Sequence, residues 1–133
     1  FFIFAITVKN DSIYFMKQKT IPKLVFKGVA YPCCTSLTMG IIGGKWKTVI
    51  LFHLINDKLR YNQLRKLMPT VTERTLSLQL RALEGDGLIV RNVYTSKPPL
   101  KVEYALTNFG KTLIPLLQSI ADWGDLVAEN HSN

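Results

Sequence analysis

The feature that most constrains this chain is the stretch TVTERTLSLQLRALEGDGLIVR, residues 70–91. Thr72 offers a hydroxyl to the free backbone N–H groups of a helix start, and Glu73 sits favourably against the positive helix end. Leu76, Leu80 and Leu83 follow at helical steps, so at about 100° per residue they share one face. The spacing predicts a helix that begins at Thr72, buries its leucines and stops near Gly87. Arg74, Leu78 and Arg81 fall nearly opposite that face, with Thr75 and Ser77 towards the flanks. The apolar stripe is complete without the arginines, which leaves them for something outside the core.

The neighbouring segments are short and clearly punctuated. SLTMGII reads as a short helix broken by Gly43 and Gly44, after which KWKTVILFHLIN forms a second helix with Trp46, Val49, Ile50 and His53 on one side. DKLRY is a short extended link. YNQLRKLMP is a two-turn helix with Leu64, Leu67 and Met68 inward, ended by Pro69. Beyond Gly87, LIVRNVY and LKVEYALT are strand-forming runs separated by TSKPP, and Val102, Tyr104 and Leu106 alternate with Glu103 and Ala105. These form a hairpin. The last stretch, from Asn108, carries Leu113, Leu116, Leu117, Ile120, Trp123 and Val127 at three- and four-residue steps, a long amphipathic helix with an interruption expected near Pro115.

Helix, helix, short strand, helix, helix and hairpin is the order of a winged helix-turn-helix. The expected fold is therefore mainly α with a small β-hairpin and a long C-terminal helix. In such a unit the helix after the tight turn enters the DNA major groove, and the hairpin lies along the neighbouring backbone. Charge agrees with this. The chain carries a formal net charge of +8. From Lys45 to Val102 there are eleven basic and four acidic residues, a net of +7, whereas from Glu103 onward one lysine faces four acids, a net of −3. A regional positive field of this kind suits double-stranded DNA. Arginine can grip a guanine edge with two hydrogen bonds, and Thr and Ser can bond bases or phosphates. The candidate contacts are Thr72, Arg74, Thr75, Ser77 and Arg81 in the groove, with Arg91, Lys97 and Lys101 of the wing on phosphates.

Four quoted segments, IIGGKWKTVILFHL, LRYNQLRKLMPTVTERTLSLQLRALEGDGLIVRNVY, PPLKVEYALTNFGKTL and DWG, resemble the HxlR-type winged-helix transcriptional regulators, a branch near the MarR regulators. The resemblance spans roughly residues 33–124 and rests on several separated motifs in the right order. It implies a homodimeric, cytoplasmic DNA-binding regulator, in a family that often controls detoxification of electrophiles, aldehydes or oxidants. In some members of that family a cysteine just ahead of the first helix, usually in a Cys-Pro pair, is the sensing thiol. Cys33 occupies that place, but Cys34 follows where proline is usual.

Read from the residues alone, the adjacent cysteines admit three roles. They are small, partly buried thiols without function, or a redox or electrophile sensor, or metal ligands. A helix N-terminus with nearby lysines stabilises the reactive thiolate, which favours a sensor over a metal site. No Cys-x-x-Cys or paired-His spacing supports zinc, and His53 on an apolar helical face reads as a core residue. Two neighbouring cysteines make no disulfide framework, which fits a reducing cytoplasm. No cofactor is expected.

Catalysis finds no support. The glycine pair at 43–44 lacks the spacing of a phosphate loop, no Ser-His-Asp set assembles, and Glu84 and Asp86 are two apart and do not share a helix face. The opening FFIFAITV is too short for a membrane span, which needs about 20 apolar residues. It also lacks the basic start and cleavage site of a signal peptide. Met16 heads MKQKTIPKLVFKG, so residues 1–15 read as an upstream addition, 1–30 as an N-terminal extension, and 31–133 as the winged-helix and dimerisation domain. Leu113, Leu117, Ile120, Trp123 and Val127 form the expected dimer face, because the terminal helix is more apolar than its own domain needs. Two other functions fit the same sequence. One is a winged-helix protein-interaction module that never binds DNA. The other is a regulator whose effector is a small molecule held between the terminal helix and the core, with no role for the thiols.

Overall fold

A computed structural model describes residues 24–131. The expected start at Met16 and the apolar opening lie outside the described residues. The chain divides into two compact units between Ile42 and Gly43.

The first unit contains an antiparallel pair, β1 (Leu24–Phe26) and β2 (Val29–Tyr31), followed by α1 (Cys34–Ile42). Lys27 and Gly28 both turn with positive φ, 49° and 81°, the backbone that matches strand twist in a two-residue hairpin loop. This hairpin crosses the expected boundary at residue 30, where the sequence predicts no strands. Tyr31 lies across α1 at Gly40, where a Cβ would come within 2.5 Å of the ring. Helix α1 begins at Cys34, two residues before the Ser36 at which SLTMGII starts.

The second unit is the winged helix. It runs α2 (Lys47–His53), β3 (Leu59–Arg60), α3 (Tyr61–Leu67), α4 (Glu73–Gly85), β4 (Ile89–Val93), β5 (Val102–Leu106), α5 (Asn108–Lys111) and α6 (Ile114–His131). The DKLRY link does more than connect, because β3 pairs antiparallel with β5 and the hairpin becomes a three-stranded sheet of order β3-β5-β4. The core is built as α4 predicts: Leu76, Leu80 and Leu83 are fully buried against Ile50 and Leu51 of α2, Leu64 of α3, and Leu88 and Ile89 entering the sheet. Each such side chain contributes on the order of 1.5–3 kcal/mol relative to exposure.

Two expectations change, and a third, the interruption near Pro115, is met. Helix α2 turns Ile50, Leu51 and Leu54 into the core, while Trp46, Val49 and His53 are only half-buried. Trp46 precedes the first helical turn, where the Lys45 ammonium lies 5.0 Å from its ring centre. Leu67 is exposed rather than inward, because α3 ends there and the next residue, Met68, leaves helical geometry and drops into the core in its place. The terminal helix is broken at Thr112–Leu113. A proline at 115 has no N–H for the Lys111 carbonyl, so the chain closes α5 with short-range bonds, Thr112 N–H to Phe109 and Leu113 N–H to Gly110. It restarts with Pro115 in the first turn of α6, where no N–H is required.

Candidate nucleic-acid interface

The N-terminus of α4 is held by hydrogen bonds that the sequence supplies locally. Thr72 is extended, with φ −75° and ψ 155°, and its hydroxyl oxygen accepts the Thr75 N–H at 3.1 Å. The same hydroxyl donates to the Thr75 hydroxyl at 2.9 Å, so Thr72 is engaged as a cap. Helix α3 braces this turn from beside it. Arg65 donates from Nη1 to the Val71 carbonyl at 3.1 Å, and the Tyr61 hydroxyl donates to the Glu73 carbonyl at 3.2 Å. Ser77 donates in turn to the Tyr61 hydroxyl at 3.4 Å, which explains why Ser77 and Thr75 are half-buried flank residues.

Arg74, Leu78 and Arg81 project from the opposite side and are exposed, as the helical wheel predicts, with Leu78 at 46%. Among the described residues no acidic side chain forms an ion pair with Arg74, Arg81 or Arg91; the carboxylate of Glu103 lies 3.8 Å from Lys58 instead. The helix ends at Asp86, and Gly87 adopts φ 77°, a left-handed turn that delivers Leu88 straight into the sheet.

The strand register places the wing charges. Ile89 pairs with Leu106, and both are buried; two residues outward on the same face, Arg91 pairs with Tyr104. Arg91 therefore faces α4 just beyond the edge of the core, rather than at the wing tip. It lines a cleft of about 400 Å³ with Tyr61, Ser77, Arg81 and Glu84. It also lines a second cleft of about 370 Å³ with Arg60, Asn62 and Lys101. Tyr61 and Tyr104 belong to both. The loop beyond closes on Thr95, which accepts the Lys101 N–H at 3.0 Å and donates to the Pro99 carbonyl at 3.3 Å. The Lys101 ammonium lies 5.5 Å from the Tyr94 ring centre, which limits where its charge can go. Lys97 is exposed in this loop and lines neither cleft.

The structure thus brings Ser77, Arg81, Arg91 and Lys101 around two adjoining basic clefts, with Arg74 and Thr75 on the turn of α4 before them. Sequence reasoning missed Arg60, Tyr61 and Asn62. Their signal was the helix start itself: Gln63 accepts the Arg60 N–H at 2.8 Å, and a basic residue there adds to the positive helix end.

Cys33 is the residue before α1. Its sulfur accepts the Ser36 N–H at 3.4 Å, and its carbonyl accepts the Leu37 N–H at 3.0 Å. Cys34 is exposed, and both thiols are free. His53 is half-buried and edge-on to Phe52, with ring centres 6.1 Å apart, and burial pushes its imidazole below the ordinary range. Among the described residues no His, Cys, Asp and Glu side chains cluster for a metal, and no helix is long and apolar enough to cross a membrane. On α6, Leu117 is consumed by its own core, Val127 is half-buried, and Ile120 and Trp123 stand exposed; Leu113, in the break before α6, is half-buried.

Known proteins match this arrangement. A family model described as HxlR-like helix-turn-helix matches residues 41–132. The HTH-type transcriptional regulator YdeP of Bacillus subtilis is 55% identical over 93 residues, covering 70% of this chain and 72% of YdeP. The structure of the redox regulator HypR in its oxidized form superposes with a TM-score of 0.67 at 46% identity, over 70% of this chain and 95% of HypR. Diamide-treated YodB from B. subtilis gives a TM-score of 0.58 at 25% identity, over 71% of this chain and 93% of YodB.

Proposed function

The chain belongs to the HxlR-like helix-turn-helix family of transcriptional regulators, and from that premise we propose that it binds operator DNA as a homodimer and responds to oxidants or electrophiles through Cys33. The observation that carries DNA binding is the placement of Arg81 and Arg91 on one cleft, with no ion-pair partner for either among the described residues, beside an α4 whose apolar side is already buried. Helix α4 enters the major groove, where Arg74 and Arg81 read base edges and Leu78 meets a thymine methyl. Thr72, Thr75 and Ser77 position the helix start against the backbone, and Arg91, Lys97 and Lys101 hold phosphates on either side of the wing. Arg60 and Asn62 extend the same phosphate track.

Titrating operator and scrambled duplexes at several salt concentrations tests this. Lys97→Ala weakens both duplexes alike and lowers the salt slope by about one unit. Arg81→Ala costs about 1–3 kcal/mol on the operator and relaxes its sequence preference. Salt-independent binding, or an arginine variant with unchanged preference, removes the groove assignment and favours a protein partner for the basic face.

The dimer is supported by the exposed flank of α6, which the chain's own core leaves uncovered. Sensing is supported by the N–H that the first turn of α1 aims at the Cys33 sulfur, a contact that strengthens as thiolate forms, and by the likeness to HypR, a redox regulator. Diamide titration of operator binding separates the thiols. Loss of response in Cys33→Ser alone supports the assignment, loss in Cys34→Ser alone moves the role by one residue, and an unresponsive parent makes both thiols structural.

A further inference from the structure

The apolar flank of α6 is continuous with a cavity. Leu116, Ile120, Trp123 and Val127 follow at four- and three-residue steps, so they form one stripe along the helix. Leu116, Ile120 and Trp123 are 40%, 44% and 70% exposed. Ile120 and its neighbour Leu117 also form one wall of a cavity of about 300 Å³, whose other wall is Val49, Phe52 and His53 of α2. Among the described residues no charged side chain lines this cavity, and neither nitrogen of the His53 ring has a hydrogen-bond partner. What fits is a flat apolar group carrying a single polar hydrogen, which is the description of an indole.

We propose that the cavity is the socket for Trp123 of a second copy of this chain, so that each subunit inserts its indole between Phe52 and Ile120 of the other and donates its N–H to His53. The proposal rests on the homodimer reading above and deepens it. A two-fold axis through the stripe sets the two α6 helices antiparallel, with residues on either side of the stripe's midpoint facing each other. The stripe runs from 116 to 127, so its midpoint falls between 121 and 122, and Trp123 meets the partner's position 120, the wall of the socket. The knob and the hole are therefore on the same self-complementary patch, which is what a two-fold interface requires.

The chain has two tryptophans, so Trp46→Phe makes Trp123 the only indole. Sedimentation and indole emission are followed on this full-length variant over a dilution series. The expected result is blue-shifted emission in the dimer and a red shift that coincides with dissociation. Trp123→Ala weakens the dimer about 30-fold or more, the size of a central buried aromatic anchor. Ala121→Phe, which fills the socket, also weakens the dimer and leaves Trp123 red-shifted. A stable dimer whose Trp123 emits as an exposed indole overturns the socket and keeps the dimer. Blue emission that ignores dissociation shows that the chain covers its own tryptophan, and bright anilinonaphthalene sulfonate fluorescence from the dimer shows an open cavity; both overturn the proposal. A monomer at every concentration overturns the homodimer reading and the socket with it.

Discussion

Replacing Gly110 with alanine sets two opposing terms against each other at the point where the wing meets the terminal segment. Gly110 is buried in α5, and its φ is ordinary, so helix propensity alone favours alanine by at most about 1 kcal/mol. A Cβ at this position, however, would be driven into the backbone carbonyl oxygen of Leu88. That atom is not the end of a flexible side chain. It sits between α4 and β4 and already accepts the Thr107 N–H at 3.1 Å, so relief requires the backbone itself to move. Overpacking of this kind costs about 1–3 kcal/mol, and loss of the Thr107 bond adds about 1 kcal/mol. The net expectation is a loss of about 2 kcal/mol. Urea unfolding at one fixed protein concentration reads this directly: for a slope of about 1.5 kcal/mol/M, the midpoint falls by roughly 1–1.5 M. A midpoint that is unchanged or raised means that propensity won, and the seating of α5 on Leu88 is then looser than described.

Removing the acid from the first cleft should have the opposite sign on binding: Glu84→Gln tightens DNA association about threefold at low salt, since unit charges about 6 Å apart in water interact by roughly 0.7 kcal/mol. Thr72→Ala removes the α4 cap and costs about 1 kcal/mol of stability, whereas Thr72→Ser retains most of it; chemical denaturation checks both. His53 is held below its ordinary range by burial, so the unfolded chain takes up a proton that the folded one resists once the pH falls through about 6.5. Its contribution is complete above that value and declines as the pH falls below it. Melting temperatures of parent and His53→Gln over this window should converge or cross, and parallel curves refute the assignment.

The sequence carried α4 almost whole, because cap, leucine spacing and terminating glycine all act within one element. It carried less of what depends on two elements meeting. Leu67 has the right spacing for burial, but Met68 beyond the helix end takes the inward position, and spacing does not register where a short helix stops. The same holds for α2, whose inward face is chosen by α4 rather than by its own pattern. In the candidate interface, the residues of α4 were legible from the helical wheel. Arg91 was legible as a wing charge but not as a neighbour of Arg81, since only the strand register aligns it there. Arg60 and Tyr61 were passed over because DKLRY reads as a connector until its pairing with β5 is known, and Asn62 because its neighbourhood with Lys101 and Arg91 depends on the same pairing.

Arg74, Leu78 and Arg81 are exposed and stand outside the core, whereas the leucines behind them and the Thr72 and Tyr61 bonds beside them help to hold the domain together. Substitution on the outer face of α4 therefore falls within the small stability range of ordinary surface changes, about ±0.5 kcal/mol. In the proposed reading, where this face meets the operator, a gene copy could exchange those residues and acquire a different operator without passing through a poorly folded intermediate. Sequence preference would then be a trait that drifts separately from the inherited fold.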